Sequence, residues 1–190
     1  SNRGKMTEVD DSLQITKSMI VEMHQKCRAD PSAAISVAES GGVASAARVL
    51  SKSGGAEALG LLWTLSATRG TLPWFTREAL DAVVKVGRSA TDGWRRTAAL
   101  STLHNLLCYD GHDLVLGEGS GSLELAVDIL RSDASPSVKS AACKLLDQCC
   151  FDQRSKLSAV EHVPVLVIAD MLSSALDAAR AAAMQRARAS

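Results

Sequence analysis

His104, Cys108 and His112 are spaced by four. On one continuous helix that spacing would align two imidazoles and a thiol on a single face. Zinc needs three or four such ligands in a tetrahedral array. Gly111 stands between the second and third of them and is expected to break the helix before His112, so the alignment is expected to fail. The residues then read as a packed histidine and a buried thiol. Cys149 and Cys150 are the next candidates for chemistry. A thiol nucleophile needs an adjacent base and a depressed pKa. No histidine lies near them in sequence, and apolar neighbours would raise the pKa. No P-loop, GxGxxG, HExxH or GxSxG pattern occurs. The expectation is a protein that is not an enzyme, with no catalytic residue, metal ligand or cofactor. Metal- or thiol-dependent catalysis is the alternative from another class.

Composition narrows the function further. The 21 basic and 21 acidic side chains cancel, and a nucleic-acid binder usually carries a basic excess because phosphate contacts dominate its affinity. Basic residues concentrate only at Arg180, Arg186 and Arg188, which read as a solvated helix face or its frayed end. No nucleic-acid partner is expected. The longest apolar run, Val163 to Ala169, is too short to span a bilayer and is followed by Asp170. The five cysteines form no CxxC pair and are odd in number, as in a reducing compartment. A cytoplasmic location is expected, with the nucleus also compatible. Cys108, Cys143 and Cys149 fall at apolar-periodic positions, where a thiol behaves as a small hydrophobe.

Aromatics are only 3% of a chain that is 46% hydrophobic, so the core must be built from Leu, Val, Ala and Ile. Ala-rich faces let helices approach closely, and no long alternating Val/Thr/Tyr stretch suggests strands. The predicted class is all-α. Residues 1–10 read as a tag remnant or disordered lead. Asp10-Asp11-Ser12 is good N-cap chemistry for a helix over 11–30, with Leu13, Ile20, Met23 and Cys27 as its apolar stripe. Asp30-Pro31 restarts a short helix that Gly41-Gly42 ends.

A three-part unit then recurs: a short helix, a sharp turn, a second helix and a longer third one. The second helices are predicted at Val43–Leu50, Ala79–Val86, Ser122–Leu130 and Pro164–Leu172. The third are predicted at Ala56–Ala67, Trp94–Cys108, Ser137–Cys150 and Leu176–Arg188. Breaker residues punctuate them at Ser53-Gly54-Gly55, Thr91-Asp92-Gly93, Asp110-Gly111 and Ser135-Pro136. Ala58, Leu62 and Leu65 match Ala99, Leu103 and Leu106, each 41 residues on. Those match Ala142, Leu146 and Cys149, each 43 residues on. Leu80, Val83 and Val86 match Leu123, Ala126 and Ile129 at the same 43-residue offset. Such a period suits stacked helical units, none of which can bury its apolar face alone. Trp63, inside an apolar helix, is expected in the core. Leu72-Pro73-Trp74-Phe75 is expected to pack between units.

Glu39-Ser40-Gly41-Gly42-Val43, followed by Ala47-Arg48-Val49-Leu50, resembles the armadillo repeat's turn into its second helix. Glu161-His162-Val163-Pro164-Val165-Leu166-Val167 resembles the same stretch. Ala98-Ala99-Leu100-Ser101-Thr102-Leu103-His104-Asn105-Leu106 is similar to the family's third-helix signature. The HEAT repeat, with two helices per unit, is the nearest competing resemblance. The armadillo resemblance implies a right-handed superhelix of about four three-helix repeats, over 31–70, 71–110, 111–152 and 153–190, behind an N-terminal capping helix. It also implies a concave groove lined by third helices. In that family an asparagine late in the third helix often holds an extended peptide by its backbone, and Asn105 matches that position. Thr64 and Gln148 occupy it in the flanking repeats. The nuclear-import branch places a tryptophan four residues earlier, where this chain has Gly60, Ser101 and Lys144. Trp63 and Trp94 are out of register with it, which argues against recognition of a nuclear-localisation peptide. The implied function is a scaffold or adaptor that binds a peptide or partner helix through Thr64, Ser101, Asn105, Lys144 and Gln148. A structural segment that self-associates through its repeat ends, favoured by the Ala-rich stretch Ala175–Ala189, is the alternative.

Overall fold

The computed structural model describes residues 17–149, and every regular element among them is helical, with no strand. Expectations for residues 1–16 and 150–190 lie outside the described residues. These include Leu13, Cys150, the helices at Pro164–Leu172 and Leu176–Arg188, and the unit over 153–190.

Helix α1 covers 17–29. After it come α2 (Ala33–Glu39), α3 (Gly42–Ser53) and α4 (Ala56–Ser66), then a 3-10 turn at Arg69–Trp74. Next are α5 (Arg77–Ser89), α6 (Gly93–Cys108), α7 (His112–Leu116), α8 (Ser122–Arg131) and α9 (Pro136–Cys149). The predicted second helices within the described span are α3, α5 and α8, and the third are α4, α6 and α9. Local chemistry sets the ends. Gly41, in left-handed backbone at φ 88°, leads into α3, and Gly54 at φ 60° ends it. The Asp92 carboxylate accepts the Arg95 amide at 2.8 Å to cap α6. Asp30 acts one step earlier than expected. Its carboxylate accepts both the amide and the hydroxyl of Ser32, at 3.0 and 2.6 Å, and α2 opens at Ala33.

Two rows of helices result. In one, α5 packs on α3 and on α8; in the other, α6 packs on α4 and on α9. The rows are joined where α3 meets α4, α5 meets α6 and α8 meets α9. The residues matched by offset form the seam. Ala58, Leu62, Leu65, Ala99, Leu103, Leu106, Ala142 and Cys149 are all buried, as are Leu80, Val83, Val86, Leu123, Ala126 and Ile129. Leu146 is only partly buried against the core. The elements that precede α3, α5 and α8 are short: α2, the 3-10 turn and α7. Arg77 on α5 donates to the carbonyls of Leu114 and Glu118, which holds α7 and the turn after it in place.

Three expectations need correction. Trp63 is 36% exposed rather than in the core. The stripe through Leu59, Leu62 and Leu65 fills the interior side of α4, which leaves Trp63 on the strip it shares with Thr64 and Ala67. Cys108 and Cys143 are exposed, while Cys149 is buried. Cys108 is the last residue of α6, and Cys143 lies next to the buried Ala142 rather than on its face. Phe75 is buried and Trp74 packs against the core, as expected of that junction.

Candidate partner-binding surface

The row α4, α6, α9 carries all five residues that the resemblance singles out, and the 41- and 43-residue offsets set them in two lines. One line is Thr64, Asn105 and Gln148; the other is Gly60, Ser101 and Lys144. Thr64, Ser101, Asn105 and Gln148 are half-buried, and Lys144 is exposed. Lys144 and Gln148 lie one turn apart on α9, as their spacing predicts.

Their chemistry differs. The Thr64 hydroxyl donates to the Gly60 carbonyl of its own helix at 2.9 Å. Asn105 reaches backwards: its Nδ2 donates to Ser66 Oγ at 3.1 Å, across from α6 to the end of α4. Ser66 is buried and donates in turn to the Trp63 carbonyl at 2.7 Å. One turn further along α6, the Tyr109 hydroxyl donates to the Ala67 carbonyl at 3.0 Å. Asn105 and Tyr109 together fasten the carboxyl end of α6 to that of α4. Asn105 is therefore a packing amide first, with Oδ1 and the second Nδ2 hydrogen left to meet a ligand.

At Gly60 the surface is closed by α1. A Cβ built there would stand 2.6 Å from Cε1 of His24, whose Nδ1 contacts Glu57 at 2.8 Å. Gly60 thus lies directly under the His24 ring. Beside it opens a cleft of about 450 Å³, lined by Cys27, Arg28, Pro31, Ala34, Trp63, Thr64, Ala67 and Thr68. Trp63 and Arg28 were not singled out as site residues from the sequence. Trp94, at the opposite end of the row's middle helix, is 46% exposed.

The His/Cys spacing resolves as the break at Gly111 predicts. Cys108 Sγ lies 3.8 and 3.9 Å from the two ring nitrogens of His104. Helix α6 ends at Cys108 and His112 begins α7. The His112 Nε2 is buried with no hydrogen-bond partner among the described residues. Among those residues no three His, Cys, Asp or Glu side chains are placed to share a metal ion. Burial pushes the Cys108 and Cys27 thiols above their usual pKa, away from the thiolate that a nucleophile or metal ligand requires. No described helix is long and apolar enough to cross a membrane.

No family model, curated protein or solved structure matches this chain.

Proposed function

We propose that the chain is an armadillo-like stack of helical units that works as a protein-interaction scaffold or adaptor, and that its partner lies along the α4, α6, α9 row. The partner is an extended peptide or a helix. The observation that carries this reading is the row itself: successive long helices lie side by side, with matched polar positions reaching solvent. Ser101 and Lys144 offer side-chain contacts with no internal bond to give up among the described residues. Thr64 and Trp63 line a cleft at one end of the same row. Exposed polar side chains on a row of repeated helices are the means by which helical arrays hold partners. In this reading the protein is non-enzymatic and acts in the cytoplasm or nucleus.

The test is affinity capture from source-cell lysate with the full chain, a Ser101→Arg/Lys144→Glu double variant, and an Asp81→Arg control on the other row. All three baits are first checked for equal melting temperature. A partner held by the parent and the control but lost by the double variant supports the reading. A partner lost only by the control would move the site to the α3, α5, α8 row and defeat this assignment.

A further inference from the structure

We propose that Ser135 is a phosphorylation site for a proline-directed serine kinase, and that the phosphate stabilises the amino end of α9 where it meets α6. The inference is independent of the partner-binding reading.

Ser135-Pro136 is the one Ser-Pro or Thr-Pro step in the sequence. It lies where a kinase can reach it: Ser135, Pro136 and Ser137 are all exposed, and Ser135 precedes α9 rather than lying within it. The residue before a proline is biased toward extended backbone, and Ser135 lies in irregular chain; Pro136 and Ser137 form the first turn of α9, whose fraying would open the step to a kinase cleft. The hydroxyl is not locked in the fold. Ser135 Oγ lies 3.0 Å from Ser137 Oγ, a contact in which either hydroxyl can donate, and whose loss leaves no buried group unsatisfied.

The transfer is an ordinary phosphoryl exchange with ATP. Ser135 Oγ forms a bond to the γ-phosphorus and the bond from that phosphorus to the β–γ bridging oxygen breaks. The hydroxyl proton passes to the kinase's base, and ADP leaves.

The surroundings determine what the product does. The Ser135 carbonyl accepts the Lys139 amide at 3.0 Å, so Ser135 is the N-cap of a 14-residue helix. Phosphoserine there places a charge of about −2 at the positive end of the helix dipole. A second amino end adjoins it: a Cβ built on Gly93, the first residue of α6, would lie 3.8 Å from Ser135 Oγ and 3.4 Å from Val138 Cγ2. Lys139 one turn on, and Arg95 and Arg96 in the first turn of α6, are the cations of these two ends, and Arg96 Nε already donates to the Ala90 carbonyl at 2.8 Å. Arg95 is ion-paired with Asp92 at 3.4 Å, half-exposed, and so free to exchange partners. Asp92 and Asp133 oppose the added charge, but both are exposed and hence screened by solvent.

The folded full chain is incubated with ATP and a proline-directed serine kinase beside a Ser135→Ala variant, and phosphate is located by peptide mass spectrometry. Incorporation at Ser135 in the parent and its loss in the variant are expected. Incorporation only after the chain is denatured, or none at Ser135, overturns the site. The phosphorylated chain is then melted beside the unmodified one. A rise in Tm of about 2 °C that shrinks in molar salt is the expected scale for a charge placed on a helix end. A fall would mean that Asp92 and Asp133 prevail, and would overturn the stabilising role while the mass data stand.

Discussion

Asn105 illustrates how one amide can serve packing before it serves binding. Its Nδ2 is bonded to a buried hydroxyl on the neighbouring helix, so Asn105→Ala removes an internal hydrogen bond and is expected to cost about 1 kcal/mol. Ser101→Ala, on the same helix and with no such bond, should stay within about 0.5 kcal/mol. Urea melts of the two variants check this contrast; equal midpoints would mean that the Ser66 bond contributes nothing. The cysteines give a second reading at this scale. Cys108 and Cys143 are exposed while Cys27 and Cys149 are buried, so an alkylating reagent should modify the first pair in the native chain and the second only on unfolding. Burial raises the Cys108 thiol, so its labelling should still be rising with pH where that of an ordinary thiol has levelled off. Periodicity placed Cys149 inside correctly, and Trp63, Cys108 and Cys143 inside wrongly, for the same reason. Periodicity ranks the faces of a helix, but which neighbour covers the borderline face is decided by packing. On α4 that neighbour is α1, and it covers Gly60 while leaving Trp63 at the edge.

Element boundaries were more legible than exposures because the chemistry that sets them is local. Gly41, Gly54 and Asp92 act on their own helix ends, and α3 to α6 begin within two residues of their predicted starts. Two further local devices carry pH dependence. The Thr76 hydroxyl holds Glu78 below its usual carboxylate range at the start of α5, and the hydroxyl and then the amide of Ser32 do the same for Asp30 before α2. A carboxylate whose folded pKa is depressed adds stability above its unfolded pKa and loses it as pH falls through the folded one. Stability should therefore be flat at neutral pH and fall at acid pH, below about 4. Thr76→Ala and Ser32→Ala should each flatten that acid limb in melts taken across the range, and an unchanged slope would exclude these bonds as its source. The contact between α1 and α4 is tested by Gly60→Ala. Alanine favours the helix by about 1 kcal/mol, yet its Cβ meets the His24 ring at 2.6 Å and must displace it from Glu57. The single variant should lose stability, and the same change in a His24→Ala background should gain it. A gain in both backgrounds would mean that the ring moves at no cost.

For the whole molecule the question is how far one helix feels another. The 41- and 43-residue offsets were readable because α4, α6 and α9 bury matched apolar positions, as α5 and α8 do. What could not be read was which polar residues on that surface remain free, since Thr64 and Asn105 are matched at a 41-residue offset yet one bonds within its own helix and the other across to its neighbour. An array in which each unit packs on its neighbours has a consequence that a single shared core lacks. Helix α4 packs on α2, α3 and α6, whereas α9 packs on α6 and α8. Leu62→Ala removes a fully buried side chain from α4 and should cost about 2–5 kcal/mol there. In the proposed array that loss weakens α3 and α4 most, reaches α6 in part and leaves α8 and α9 nearly as protected as before. Native-state hydrogen exchange, read helix by helix, measures this gradient. Protection that falls by the same factor in α4 and α9 would show one cooperative core, and the stacked reading would have to be given up.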